Sequence, residues 1–249
     1  MRAMIQQRTF FPVYGVGAYT SYDNQDFGTT KGFSFTYDLR RTNNVQINAN
    51  YTLAFADGTG SDANSQRGLT NRGNIRTLFP LNFDERHRLN LVLDYRFPGN
   101  APSKILQQLG ANLQAVAVSG RPFTATFVPQ EFDGTGTRGA INGARKPWNY
   151  TLNLRVDKQF EISKGLGVNL YVRVSNLLDR RNTIEVYSVT GSPEDPGFLQ
   201  SAFGDAIFNN FRGGVRPLEG YLNSYSWRVL NPDFFSLPRR VFAGIITNF

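Results

Sequence analysis

The sequence contains no cysteine and a single histidine, His87. Without cysteine the chain forms no disulfide and no thiolate metal site, and one imidazole leaves almost nothing for a transition-metal cluster. We therefore expect no metal and no other cofactor. The lack of cysteine is compatible with any cellular compartment, so it does not localise the protein.

Long apolar runs are absent as well. No stretch approaches the roughly 18 apolar residues that a membrane-spanning helix needs, which excludes a helical membrane protein. It does not exclude a β-barrel, because barrel strands alternate apolar and polar residues and dilute the hydropathy signal. Residues 1–15 also lack the apolar core of a signal peptide. A protein outside the cytoplasm would therefore be represented here by a mature or partial chain.

Concentrated charge is missing too. The net charge is +8, but the basic residues are scattered, with no block of five or more, so nucleic-acid binding is not expected. The chain is instead rich in aromatic residues, which make up 14% of it, and it holds 24 glycines and 12 prolines. This composition is typical of a turn-rich all-β protein.

Seven segments alternate apolar and polar residues, and this period predicts strands with one apolar face. In the clearest of them, Phe33, Phe35, Tyr37 and Leu39 share one face. The predicted strands cover residues 33–40, 45–55, 88–97, 111–127, 148–157, 168–175 and 239–249. Residues 1–20 have no clean period and are predicted to form an irregular loop or a broken strand, and residues 22–28 are predicted to form a turn.

The predicted connections alternate between short and long. Residues 42–44 and 162–166 are short and residues 98–110 fairly short, whereas residues 56–85, 128–146 and 189–238 are long. Outer-membrane barrels have this asymmetry, with short periplasmic turns and long extracellular loops. Aromatic residues near both strand ends and aliphatic residues between them add to the pattern. Lys158 breaks the apolar face near the short-turn end, where a lysine can reach water.

The faces opposite the apolar ones carry charges. These residues are Asp38, Arg40, Arg88, Asp94, Arg96, Arg155, Asp157 and Arg173. A soluble core would not take them, because burying an unpaired charge costs several kcal/mol. A water-filled lumen would. There the charges either pair with one another or contact a plug or a substrate path.

The C-terminal strand has a pattern of its own. Val241, Ala243, Ile245, Thr247 and Phe249 share one face, and the sequence ends on the last of them. This pattern resembles the assembly signal of bacterial outer-membrane barrels, which ends on an aromatic residue with apolar residues at every second position before it. We expect deletion of Phe249 to impair insertion into the outer membrane.

Several stretches resemble the C-terminal half of TonB-dependent outer-membrane receptors, in order and spacing, over about residues 20–249. They are YDNQDFG at 22–28 with KGFSF at 31–35, SGRPFT at 119–124, VSNLLD at 174–179 followed by Arg181-Asn182, and residues 239–249. The resemblance implies an antiparallel transmembrane β-barrel segment over residues 21–249, formed by the last seven strands of a 22-stranded barrel. It implies a fragment, a truncated product or one part of a larger assembly, because no plug is present.

The resemblance also implies a function and partners. The chain would contribute barrel wall and extracellular loops to a transporter in the bacterial outer membrane that takes up a siderophore, cobalamin, a glycan or a similar nutrient. Its partners would be outer-membrane lipid, the barrel-assembly machinery, the missing plug and remaining strands, and TonB indirectly through the plug. The alternatives are a small non-transporting or porin-like barrel, with residues 8–20 as an eighth strand, and a soluble β-sandwich binder.

No catalytic constellation stands out, so we do not expect an enzyme. For His87 with Asp84 and Glu85, a mixed-charge junction is favoured over a proton relay. For residues 179–181, a salt-bridge cluster at a strand end is favoured over a ligand clamp. For residues 57–62, a flexible loop is favoured over a Ca²⁺ site. The loop aromatics either bind a ligand or pack together: they are Phe208, Phe211, Tyr221, Tyr225 and Trp227.

Overall fold

The structure is a computed structural model, and it describes residues 2–10, 19–64, 77–128, 136–163, 166–212 and 218–248. It is mainly antiparallel β-sheet with few helices. In chain order the strands are β1 (Arg2–Phe10), β2 (Tyr19–Thr42), β3 (Val45–Gly58), β4 (Phe79–Pro80), β5 (His87–Arg96), β6 (Leu109–Val118), β7 (Pro122–Phe123), β8 (Ala144–Arg145), β9 (Asn149–Ser163), β10 (Leu166–Ser175) and β11 (Arg240–Asn248).

One large sheet has the strand order β1-β2-β3-β5-β6-β9-β10-β11, and each strand is antiparallel to the next. β4 pairs with the end of β3, and β7 with β8 forms a separate two-stranded sheet. Among the described residues β1 pairs only with β2, and β11 pairs only with β10, so the sheet is not closed. The all-β class is therefore confirmed. Neither a closed barrel nor a count of 22 strands is shown.

The first part of the chain differs from the sequence-based prediction. Arg2–Phe10 is a regular strand with a bulge between Met4 and Ile5, and it pairs with Tyr19–Gly28 of β2. The predicted turn at residues 22–28 is therefore wrong, because this segment continues β2. The prediction failed because ladder hydrogen bonds are made by the backbone, so a strand beside a partner needs no alternation of side chains.

The connections explain how the strands follow one another. Asn43 and Asn44 have φ values of 49° and 70° and join β2 to β3 by a two-residue turn, as type I′ geometry requires. The predicted strand at residues 111–127 is too long: β6 ends at Val118, and after the interruption before Pro122 only the short strand β7 follows. The predicted loop at residues 189–238 instead contains α1 (Ala202–Arg212) and α2 (Leu218–Val229). Neither helix is long and apolar enough to cross a membrane, among the residues that the structure describes.

A small core lies under the long connections rather than between layers of sheet. Tyr187, Val229 and Phe234 are buried together, and Tyr225 and Phe235 pack against them. Tyr187 donates a hydrogen bond from its hydroxyl to the carbonyl oxygen of Val229 at 2.8 Å. These contacts hold the segment around α2 against the part of the chain that follows β10.

Candidate functional site

The strand register joins the separate apolar faces into one surface, called here the apolar band. One row crosses seven strands through directly paired residues. It consists of Leu39, Ile47, Leu93, Leu113, Leu154, Val174 and Val241. Rows on either side are also apolar, for example Tyr95, Ala111, Val156, Val172 and Ala243. The seven strands are the seven that alternation predicts.

Much of the apolar band is exposed. Phe35 is 61% exposed, Val172 46% and Ile245 69%. Apolar patches of more than a few hundred Å² are rare on soluble monomers and usually mark a surface that another apolar phase or molecule covers. The predicted assembly-signal residues Val241, Ala243, Ile245 and Thr247 belong to this band and pair with residues of β10. Phe249 lies outside the described residues.

Aromatic side chains line the long-loop end of the apolar band. The Tyr51 hydroxyl lies 2.9 Å from Nδ1 of His87, the only histidine. His87 stacks on Trp148 with 5.5 Å between ring centroids, and Trp148 stacks on Tyr150 at 6.0 Å. His87 therefore takes part in an aromatic row, and the two carboxylates beside it in sequence bind elsewhere.

At the short-turn end, Tyr95 packs edge-on against Phe97 with 4.9 Å between centroids. Lys158 lies over Phe160, with 5.6 Å from Nζ to the ring centroid. Its ammonium donates to the carbonyl oxygens of Lys104 at 2.8 Å and Ile105 at 2.9 Å. The exception to the apolar pattern is thus satisfied by the backbone of the β5–β6 connection.

The opposite face of the sheet, called here the polar face, carries an ion-pair network. Arg96 donates to Asp157 at 2.9 Å, and Asn169 donates to the same carboxylate at 3.2 Å. Arg96 and Asp157 are on β5 and β9, with Gly110 of β6 paired between them. A Cβ at Gly110 would lie 2.7 Å from Nη2 of Arg96, so glycine leaves the space that this pair uses.

Five of the other predicted charges divide into two groups. Asp94 pairs with Arg41 and accepts from Asn112 at 3.3 Å, and Arg88 pairs with Glu85 at 2.9 Å. Asp38, Arg40 and Arg173 have no ion-pair partner in the part of the chain that the structure describes. Ion pairs therefore neutralise some of the charges on the polar face and leave the others without a charged partner among the described residues.

A buried ion pair ties the long connections together, and the sequence gives no signal for it. Asp84 is 1% exposed and binds Arg145. It also accepts from the backbone N–H of Ala56 at 2.9 Å. Arg145 donates to the carbonyl oxygens of Asp84 and Gly120, both at 3.1 Å. The segment around Asp84 is the mixed-charge junction that the sequence predicts, but Arg145 lies 61 residues further on.

Residues 179–181 border a cavity of about 440 Å³ at the long-loop end. Asp179 accepts from the backbone N–H of Arg239 at 2.9 Å and pairs with its guanidinium at 3.4 Å. These contacts, the backbone hydrogen bond first, lower the pKa of Asp179. Arg180 lies over Tyr150 and Arg181 over Phe235, at 4.8 and 5.8 Å from the ring centroids. The predicted salt-bridge cluster therefore holds for Asp179 alone, and its partner is Arg239; the contacts described for Arg180 and Arg181 are with aromatic rings.

The loop aromatics pack mainly with one another. Phe211 stacks on Tyr221 with 4.8 Å between centroids, and Tyr221 stacks on Tyr225 at 6.3 Å. Burial, and then the negative charge of Asp195, raises the pKa of Tyr225 to about 12. Trp227 is 81% exposed and stands apart from this stack.

The described residues contain no group of three or more histidine, cysteine, aspartate or glutamate side chains that could hold a metal ion. Near the segment considered for Ca²⁺, Thr59 donates its hydroxyl to Asp26 at 3.0 Å and accepts from the Phe27 N–H at 3.0 Å. Thr59 thus ties this segment to β2.

The structure therefore defines an open, antiparallel sheet with one apolar and one polar face. No family model and no curated protein matches the chain. Among solved structures, the crystal structure of the outer membrane transporter YddB from Escherichia coli is similar, with a TM-score of 0.46 and 13% sequence identity. The match covers 72% of this chain and 25% of the transporter chain, so this chain spans about a quarter of its length.

Proposed function

We propose that this chain forms part of the wall and the extracellular loops of a transporter barrel in the bacterial outer membrane. The observation that carries the proposal is the apolar band, which continues across seven paired strands while the opposite face holds charges. Lipid on one side and water on the other satisfy both faces. Burial of the charged face in a protein core would not.

Strand length agrees with a membrane crossing. β5, β6 and β10 each have 10 residues, and a tilted strand needs about 9–11 residues to cross the hydrocarbon core. The aromatic rows at the two ends of the apolar band then lie where barrel proteins place aromatic girdles, near the two membrane interfaces.

The two free edges of the band support a larger barrel. Unpaired backbone groups are not tolerated in the hydrocarbon core, so both edges need partner strands. β1 pairs with β2 only as far as Gly28, which leaves Thr29–Thr42 without a partner on that side among the described residues. β2 and β11 run in the same direction, because six antiparallel steps separate them. Antiparallel closure therefore requires an odd number of further strands.

Within this proposal the chain belongs to a TonB-dependent receptor, as the sequence resemblance implies. The long connections capture a nutrient such as a siderophore, cobalamin or a glycan, and a plug moved through TonB admits it. The polar face then contacts the plug or the solute. The barrel-assembly machinery binds the C-terminal strand during insertion.

The alternative is a small non-transporting or porin-like barrel that closes by itself. It would need β1 to pair with β11, and no such pairing occurs between the described residues. β1 also lies beside the part of β2 that precedes the apolar band, with Phe10 opposite Tyr19 and Arg2 opposite Gly28.

Membrane fractionation with a heat-modifiability gel tests the proposal, using the chain expressed behind a signal peptide. The proposal predicts that the chain alone does not insert stably, and that co-expression of the preceding part of a receptor restores a heat-shifted band in the outer membrane. A heat-shifted band from the chain alone would favour the small barrel. A freely soluble monomer would contradict both membrane proposals.

A further inference from the structure

Arg155 and Arg173 lie directly opposite each other on β9 and β10, on the polar face. Like charges in this position repel and destabilise a sheet. A sequence that is otherwise consistent with its fold tends to break such a rule where a site requires it. The pair is therefore a candidate for binding something of opposite charge.

The carboxylates nearby do not neutralise the pair. Asp157 is engaged by Arg96 at 2.9 Å and by Asn169 at 3.2 Å. Its distance to Nε of Arg155 is 4.0 Å, the limit of an ion pair. Arg173 is exposed and has no ion-pair partner within the described ranges. A surplus of positive charge remains at this point of the sheet.

The surroundings hold Arg155 in place. The Arg155 guanidinium lies over the Tyr171 ring at 4.5 Å from its centroid. Tyr171 fits against Gly244 of β11, where a Cβ would lie 2.6 Å from the ring. Stacking on a ring fixes the guanidinium plane without using its N–H donors, which stay free for a ligand.

A small hollow of about 140 Å³ lies between the two arginines and polar neighbours, among them Asn112, Gln114 and Asn153. Asn153 uses its carbonyl oxygen to accept from the Asn176 N–H at 3.0 Å, so its NH₂ group remains a donor. Two guanidinium groups and side-chain amides make a hollow rich in hydrogen-bond donors. Its volume is well below the roughly 300–1,000 Å³ of sites for larger ligands.

We propose that Arg155 and Arg173 form a binding site for an oxyanion group, a carboxylate or a phosphate, carried by a small solute. Guanidinium groups match both oxyanions through paired, charge-assisted hydrogen bonds. Binding relieves the repulsion between the two arginines. The site stands independently of the membrane proposal, because the strand pairing alone places both residues on one face.

The test uses the chain co-expressed with the preceding part of a receptor and purified in detergent micelles, with ¹⁵N-labelled arginine whose signals are assigned through the variants below. The sample is titrated with sodium phosphate or sodium acetate at constant ionic strength set by chloride. We expect the Nε–H signals of Arg155 and Arg173 to shift saturably and together. In R155Q and R173Q the apparent affinity should fall about tenfold or more, as expected for loss of a charge-assisted hydrogen bond. The two probes distinguish phosphate from carboxylate as the preferred group.

The matched control is Arg40→Gln, which removes one positive charge from the polar face four strands away from Arg155 and should leave the affinity unchanged. A signal shift that rises linearly with the phosphate or acetate concentration, or that is equal for all arginine signals, would overturn the proposal, since it would report a general effect of the added salt.

If a glutamine variant does not fold, R173K replaces it. This variant retains the charge and loses the paired hydrogen bonds, so its affinity should also fall. The wild-type titration also decides by itself, with the Arg40 signal as internal reference.

Discussion

At the scale of the residue, glycine at position 110 allows one ion pair to form on the polar face. Arg96 and Asp157 are separated by β6 and meet because Gly110 stands between them. Asp157 is 6% exposed, so loss of its partner would leave a largely buried carboxylate with less compensation. Sequence alternation places Arg96 and Asp157 on polar faces, but it leaves Gly110 in a predicted connection and does not show which strands are neighbours.

We predict that Gly110→Ala destabilises the folded chain by about 1–3 kcal/mol, because the new Cβ displaces the Arg96 guanidinium. The measurement is the free energy of unfolding by urea in detergent micelles, with the preceding part of a receptor co-expressed. In an Arg96→Gln background the loss of stability caused by Gly110→Ala should largely disappear, and a double-mutant cycle measures this coupling.

Gly167→Ala is the control for this substitution. A Cβ there meets its nearest neighbour at 3.9 Å, so we expect little change in stability. Equal losses from the two glycine substitutions, or no coupling between Gly110→Ala and Arg96→Gln, would contradict the role given to Gly110.

Asp84 makes the second residue-scale prediction. Asp84→Ala should lower the free energy of unfolding by about 3–5 kcal/mol, because Arg145 would be left without its buried partner. Glu85→Ala is the control, since Glu85 pairs with Arg88 and Arg121, whose side chains are 49% and 59% exposed. We expect it to cost no more than about 1 kcal/mol. Similar losses in both variants would contradict the importance of burial.

At the scale of the element, the sequence predicts the strands of the apolar band well and the rest less well. Alternation is local, so β3, β5, β9, β10 and β11 can be found without knowing their neighbours. β1 and the first part of β2 were missed because their pairing depends on backbone contacts. The helices α1 and α2 lie in a segment that the sequence analysis predicts as loop. The spacing of Ile207, Phe208 and Phe211 is the helical signal that could have found α1.

β11 offers a sharp comparison between its two faces. Ile245 lies on the apolar band and Ile246 on the polar face, and both are exposed, at 69% and 42%. Ile245→Arg should destabilise the inserted barrel by about 1–2 kcal/mol, because Ile245 faces lipid in the row that leads to Lys158 at the short-turn end, whereas Ile246→Arg should cost little.

Outer-membrane yield and the urea midpoint of unfolding, with the preceding part of a receptor co-expressed, measure the two effects. Equal sensitivity at Ile245 and Ile246 would contradict the assignment of the two faces. Wild-type behaviour of both variants would show that β11 does not contact lipid.

At the scale of the whole molecule, every strand of the apolar band is hydrogen-bonded on both sides, except at the two edges formed by β2 and β11. The open edges, the shared direction of β2 and β11, and the charges on the polar face all agree with one section of a larger water-filled barrel. Under the proposal, the number of further strands and the nature of the solute would be properties of the complete assembly. The sequence therefore predicts them only through a family resemblance.

The central claim is that the apolar band faces lipid while the polar face meets water. The most direct measurement places single cysteines at the adjacent positions Leu91 and Val92 of β5, which the cysteine-free chain allows without background. Each variant is co-expressed with a cysteine-free preceding part of a receptor and labelled with a fluorophore, and quenching by nitroxide lipids is measured in membranes. Strong quenching for Leu91→Cys with weak quenching for Val92→Cys is the predicted result. Equal quenching, or stronger quenching for Val92→Cys, would contradict the claim.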